Sequence, residues 1–272
     1  MSDHRGVVLR TERISPHMIR VVVGGDGLRD FALSGATDSY VKVVFPHDGV
    51  DYPQPFDVQQ VRETMPREFW PRQRTYTVRA WDPDSREMTL DFVHHGDEGL
   101  AGPWAARAKP GDEVLMLGPG GGYSPDPEAA WHLFAGDESA LPAIAASLEA
   151  LPENALAYVF VEVESPEDEL KLSTLADARV TWLYRGGGPV GEALVEAVLG
   201  LDFPPGDVCA FVHGEAAFVK RLRRYLRVEK AVPMERLSIS GYWRAGADDE
   251  AWRAVKKDWN RQVETEEAAE LG

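Results

Sequence analysis

Arg72-Gln73-Arg74-Thr75-Tyr76-Thr77-Val78-Arg79 follows a proline-rich loop and leads, through the turn Trp81-Asp82-Pro83-Asp84, into the alternating run Met88-Thr89-Leu90-Asp91-Phe92-Val93. Alternate residues of a strand share a face, so Arg74-Thr75-Tyr76-Thr77 sets a cation, an aromatic plane and a hydroxyl close together. A flavin would find there a partner for its diphosphate, a surface for its ring system and a hydrogen bond for a ring nitrogen or carbonyl. The tetrapeptide alone reads more simply as an exposed strand with Arg and Tyr on one face.

Upstream, residues 6–14 and 18–23 read as strands joined around Ser15-Pro16-His17, and residues 39–45 as a third. Residues 51–71, with four prolines, read as a long loop over the sheet. Downstream lie the Leu90 strand and a strand over 113–118. Six strands with short turns and one helix-like piece, Trp104-Ala105-Ala106-Arg107-Ala108, argue for a small closed antiparallel β-barrel. Gly99-Leu100-Ala101-Gly102-Pro103 precedes that piece, with Pro103 suited to a first helical turn. A helix N-terminus offers free N–H groups to a phosphate. Gly118-Pro119-Gly120-Gly121-Gly122 reads as a flexible turn ending the barrel; no Lys-Ser/Thr pair follows it, so it is no phosphate loop.

From Trp131 the pattern changes. Strands over 131–136, 155–163, 180–184 and 207–212 alternate with helices over 140–151, 190–199 and 216–226, which predicts a parallel sheet covered by helices on both faces. Ligands bind such sheets where strands end. The first strand ends in Gly136-Asp137-Glu138-Ser139, where Asp and Ser also suit helix capping. A dinucleotide fingerprint is absent there. Arg185-Gly186-Gly187-Gly188 reads equally as a phosphate-holding loop and as a solvated turn. Lys220, Arg223, Arg224 and Arg227 share one helical face, read as solvated or as a positive wall for an anionic chelate. Trp252, Val255, Trp259 and Val263 repeat at helical spacing, so the tail should pack back as an amphipathic helix with a frayed acidic end over 264–270.

The motifs Arg74-Thr75-Tyr76-Thr77, Asp91-Phe92-Val93-His94-His95-Gly96, Gly99-Leu100-Ala101-Gly102-Pro103-Trp104-Ala105, Gly136-Asp137-Glu138-Ser139-Ala140 and Gly241-Tyr242-Trp243-Arg244, taken in order, resemble the siderophore-interacting proteins, a branch of the ferredoxin–NADP reductase-like flavoproteins. The resemblance runs through nearly the whole chain. It implies an FAD-binding barrel over 1–123 and an α/β NAD(P)H-binding-like domain with a helical tail over 124–272. It implies FAD contacts from Arg74, Thr75, Tyr76, Thr77, Asp91, Phe92, Val93, His95, Gly99, Ala101, Gly102, Trp104, Ala105, Asp137, Ser139 and Ala140. Lys42, Lys220 and Arg244 would attract the chelate. In the family, Ser usually stands where this chain has Gly102, so the diphosphate would rely on backbone donors and Arg74. The flavin carries the chemistry, and no protein acid or base is required.

Bulk properties narrow the choice. One cysteine, Cys209, excludes an intramolecular disulfide framework and a thiolate-held iron–sulfur cluster. A net charge of −16 speaks against a nucleic-acid surface. No apolar run approaches the ~18 residues of a membrane helix. The N-terminus lacks the apolar core of a secretory signal, so the cytoplasm is expected. His94 and His95 point to opposite strand faces, which disfavours joint metal ligation.

The expectation is therefore a monomeric FAD-dependent ferric-siderophore reductase that takes electrons from NAD(P)H or reduced ferredoxin. A general flavin-dependent NAD(P)H- or ferredoxin-linked oxidoreductase and a siderophore-binding protein without activity stand as alternatives.

Overall fold

The computed structural model describes residues 2–271. Strands β1 (Ser2–Ser15), β2 (Met18–Gly24), β3 (Tyr40–Phe45), β4 (Arg72–Asp82), β5 (Glu87–Val93) and β6 (Glu113–Gly120) close into an antiparallel barrel in the order β1-β2-β5-β4-β3-β6. Val21, Val23, Val41, Leu90, Phe92 and Met116 fill it. Each such side chain contributes roughly 1.5–3 kcal/mol when fully buried.

Two readings of this half need correction. The excursion over 51–71 holds a helix, α1 (Val58–Thr64), whose N-cap Asp57 accepts from the Gln60 N–H at 2.7 Å. The glycine run begins inside the barrel rather than at a loose boundary. β6 continues through Gly120, which pairs with Tyr40, and a Cβ at Gly120 would meet the Tyr40 ring at 2.3 Å. A second helix, α2 (Ala101–Arg107), leans Ala101 and Ala105 into the barrel core.

The second half is a five-stranded parallel sheet in the order β11-β10-β7-β8-β9. Its elements run β7 (Trp131–Asp137), α3 (Leu141–Glu149), β8 (Leu156–Val163), β9 (Asp177–Tyr184), α4 (Glu192–Leu199), β10 (Val208–Glu215), α5 (Ala216–Arg224), β11 (Leu237–Trp243) and α6 (Asp249–Leu271). Every residue of β7 and β10 is buried, as expected for central strands covered on both faces. Cys209 is one of these core residues.

Named contacts fix the two halves together. Asp168, beyond β8, accepts from Ser15 at 2.9 Å and from the His17 backbone at 3.0 Å. Arg79 of β4 grips Glu149 of α3 through both oxygens, at 2.6 and 3.0 Å. The strand ends of the sheet therefore stay fixed relative to the barrel.

The tail helix α6 returns across α5. Trp252 and Val263 are buried and Trp259 packs edge-on against Trp252 at 5.4 Å, whereas Val255 stands 44% exposed, off the stripe. The acidic end is docked rather than frayed. Glu266 meets Lys220 at 2.6 Å, and Glu267 accepts from Arg223 at 2.6 Å and Arg227 at 2.7 Å. Glu270 meets Arg224 at 2.8 Å. Lys220 and Arg224 stay partly exposed while Arg223 and Arg227 are sheltered, and none of the four is free to act as a positive wall, because the tail supplies their counter-charges.

Candidate functional site

Strand alternation divides the central motif. Arg74 and Tyr76 lie on one face, opposite Val43 and Val41 of β3, while Thr75 and Thr77 lie on the other, opposite Lys42 and Tyr40. Tyr76 rests against Phe92 at 4.1 Å between ring centroids, and Phe92 in turn meets Trp104 at 5.4 Å. Burial pushes the Tyr76 phenol well above its ordinary range and keeps it neutral. Phe92 is fully buried, so it backs Tyr76 instead of facing a ligand itself.

Arg74 is 16% exposed and already holds carboxylates of the tail. It donates to Glu250 at 2.8 Å and to Asp249 at 3.2 Å, both in the first turn of α6. One turn on, Arg253 reaches the Thr75 hydroxyl at 3.5 Å. The tail helix therefore touches the motif at two successive residues, which nothing in the sequence spacing announces.

On β5, Asp91 does not offer its carboxylate to a ligand. Arg20 takes both oxygens, at 2.7 and 2.8 Å, and the Asp91 side chain is 2% exposed. Val93 is half-buried, and His95 is exposed with its ring 5.8 Å from that of His17. The loop turns at Gly96 and Gly99, both with positive φ, before α2 begins. A Cβ at Gly102 would stand 2.9 Å from the Val93 carbonyl oxygen. The helix packs that closely on the strand end, which explains why this chain carries no hydroxyl-bearing residue there. Ala101 and Ala105 face the core, leaving the loop backbone and Trp104 as the accessible part of the segment.

At the C-terminal edge of the sheet, Asp137 ties three strands together. One oxygen orders its own turn by accepting from Ser139 N–H at 2.9 Å. The other accepts from Glu215 N–H at 2.9 Å and from the Trp243 indole at 2.8 Å, drawing in β10 and β11. Burial, and then neighbouring Glu138, raise its pKa to about 6, and these donors oppose the rise. The capping reading is corrected here: the N-cap of α3 is Ala140, which is fully buried and has no side-chain bond to the helix.

Arg185 is neither a solvated turn residue nor a free anion hook. It donates to Glu138 through Nη1 at 2.8 Å and through Nη2, and to Glu164 through Nε at 3.3 Å. Glu162 lies 3.6 Å away, and Arg185 is 5% exposed.

Of the three cations assigned to a chelate, Lys220 is paired to the tail, as described above. Arg244 is exposed just beyond β11. Lys42 lies opposite Thr75, its pKa lowered by burial first and then by Arg253 and Arg62. Lys256 of α6 is likewise lowered, by burial first and further by Arg253, with Asp249 opposing. Among the described residues, none of Lys42, Arg62, Lys256 and Arg244 has a carboxylate within ion-pair distance. Sequence reading missed Arg62, Arg253 and Lys256, since only the fold carries α1 and α6 to the β3–β4 edge.

The donor set fits a flavin: a sheltered guanidinium and a neutral aromatic plane on one strand face, with a glycine-shaped loop at the end of the neighbouring strand. Comparison with known proteins agrees. The chain matches the description "Siderophore-interacting FAD-binding domain" over residues 7–123 and "Siderophore-interacting protein" over residues 129–246. It is 34% identical to the ferric vibriobactin reductase of Vibrio cholerae, with 90% of each chain covered. Against the NADPH-dependent ferric-chelate reductase of Escherichia coli identity is 31%, covering 88% of this chain and 91% of that one. The crystal structure of a siderophore utilization protein from T. fusca superposes with a TM-score of 0.79 at 33% identity, covering 91% of this chain and 95% of the other.

Proposed function

The chain belongs to the siderophore-interacting protein family, and from that premise we propose that it reduces ferric siderophores in the cytoplasm, as a monomer, and so releases their iron. It is a flavin-dependent oxidoreductase using FAD and NAD(P)H. Reduced ferredoxin is retained as a second donor in this reading. The oxygen donors of a siderophore hold Fe(III) far more tightly than Fe(II), so adding one electron loosens the metal without breaking the chelator. Bound FAD would supply the link between a two-electron hydride donor and one-electron delivery to each of two ferric ions.

The residues of the chain bind and orient. Arg74 neutralises the diphosphate, Tyr76, braced by Phe92, presents a flat surface to the ring system, and Thr75 and Thr77 offer hydroxyls. Val93, His95 and the 99–105 loop, with Gly99, Gly102 and Trp104, frame the phosphates. Asp137 and Ser139 hold the sheet edge against the cofactor. Lys42, Lys256 and Arg244 draw in the substrate. One observation carries the substrate assignment: Lys42 and Lys256 are partly buried without a carboxylate partner among the described residues, in a chain of net charge −16. Desolvating a cation is unfavourable unless an anion arrives to offset it. An anionic ferric chelate is such an anion.

The test uses the purified, FAD-loaded protein. Photoreduced protein is mixed anaerobically with a ferric tris-catecholate while an Fe(II)-trapping dye is monitored, and the rate is compared with that on cytochrome c and on a redox dye. Reoxidation clearly faster with the chelate, with stoichiometric Fe(II), is expected. Equal rates on all acceptors would point to a general reductase, and a protein that takes up no FAD to a siderophore binder.

A further inference from the structure

We propose that the dinucleotide edge of this protein is built for a ribose with a free 2′-hydroxyl, so that NADH is preferred over NADPH, with Glu164 as the discriminating residue. The proposal rests on the reading of the chain as a dinucleotide-fed flavin reductase. In Rossmann-type sheets, whose strand order this sheet shares without their glycine fingerprint, the ribose carrying this difference lies beyond the end of the strand that follows the first crossover. There an acidic side chain accepts from the 2′-hydroxyl, or an arginine receives the 2′-phosphate. The corresponding strand is β8, reached from β7 through α3; it ends in Glu162-Val163, and Glu164 follows directly. Arg185 lies just past the adjoining β9 and brings a guanidinium to the end of β8.

The donors of Arg185 and of the loop that follows it are engaged. Arg185 spends Nε on Glu164 and both terminal nitrogens on Glu138. The glycine loop after it resembles a phosphate nest in sequence, but Glu164 fills it, accepting from the Gly187 N–H at 2.7 Å. Glu162 adds a second layer. It accepts from Gly191 N–H at 2.7 Å through one oxygen, while its other oxygen is buried with no partner. Three carboxylates thus surround one guanidinium, an excess of two negative charges. A 2′-phosphate, with a charge of about −2 near neutral pH, would have to displace Glu164 from two donors and then sit beside Glu138 and Glu162. A 2′-hydroxyl can donate to Glu164, which is 32% exposed, and disturbs nothing.

The experiment measures binding and reduction separately on the FAD-loaded protein. Calorimetric affinities for ADP-ribose and 2′-phospho-ADP-ribose are compared, followed by anaerobic flavin bleaching with NADH and NADPH. Like-charge contact at a sheltered site predicts roughly a tenfold or larger preference for the unphosphorylated ligand. Glu164→Gln should narrow that ratio and Glu164→Lys should reverse it, with FAD content and circular dichroism confirming the fold. Equal or tighter wild-type binding of the 2′-phosphorylated ligand overturns the proposal, as does an unchanged ratio in both variants. Failure of ADP-ribose to bind at all also overturns it. The ferric-reductase reading is then judged on its own, because photoreduced protein is reoxidised by the chelate without any dinucleotide.

Discussion

Removing the Glu250 carboxylate should tighten FAD binding, whereas removing Arg74 should weaken it. Arg74 is the cation through which the diphosphate is neutralised in the proposed site, yet its guanidinium already holds Glu250 at 2.8 Å and Asp249 at 3.2 Å. Cofactor and tail helix therefore compete for one group. Glu250 is 46% exposed, so its pair falls in the class of partly solvated ion pairs that contribute roughly 0.2–1 kcal/mol. Glu250→Gln should accordingly lower the FAD dissociation constant by up to about fivefold, Asp249 retaining part of the competition. Arg74→Ala loses a charge-assisted hydrogen bond to phosphate, roughly 1.5–3 kcal/mol, or about 10- to 150-fold in affinity. The assay is FAD fluorescence quenching on deflavinated protein at low and high salt, with circular dichroism as the control on folding. Screening should shrink the Glu250 effect. If Arg74→Ala changes FAD affinity by less than twofold, Arg74 is a clamp for the tail and the diphosphate assignment fails. If Glu250→Gln weakens FAD binding, the first turn of α6 supports the cofactor instead of competing with it.

Arg244→Glu should raise the apparent KM for a ferric tris-catecholate of about three negative charges much more than for a neutral ferric hydroxamate, and added salt should partly relieve the defect. Equal effects on both chelates would assign Arg244 to the fold. Glu267 serves two arginines of the α5 end at 10% exposure, so Glu267→Ala should lower stability by roughly 1–3 kcal/mol and expose the tail to limited proteolysis. An unchanged melting temperature would show that the docking depends on Trp252 and Val263 alone. His213 has its pKa lowered to about 3, by burial first and then by Lys256, so its folded state excludes the proton. The unfolded chain binds that proton below pH ~6.5, and stability should fall as pH drops from there towards 3, by roughly 2 kcal/mol at pH 5. Chemical denaturation of His213→Gln across that window should show a flatter profile, and a slope identical to wild type would refute the assignment.

Much of the molecule was legible in one dimension because its signals are local. Alternation over 18–23 and 88–93, and the exchange of strands with helices after Trp131, reflect side-chain periodicity, and both the barrel and the parallel sheet follow from it. The motif order carried the family, and Arg74 with Tyr76 on a common strand face needed only the period of two. Where local signals were ambiguous, charge misled. The basic run after Ala216 read as solvated or as a positive wall, the acidic run after Gln262 as frayed, and Arg185 beside three glycines equally as a phosphate loop and as a solvated turn. In every case the deciding partner lies far along the chain: Glu267 for Arg223 and Arg227, Glu138 and Glu164 for Arg185, Glu250 for Arg74. A sequence determines which residues carry charge and which face of an element they occupy. Only the tertiary structure decides which charges neutralise one another, because Coulomb energy depends on separation in space and on exclusion of water, and neither is a function of distance along the chain. That is why the fold and the flavin motif could be read from the chain, while the partly buried Lys42 and Lys256 and the occupied Arg185 appeared only when α6 and the sheet edge were in place.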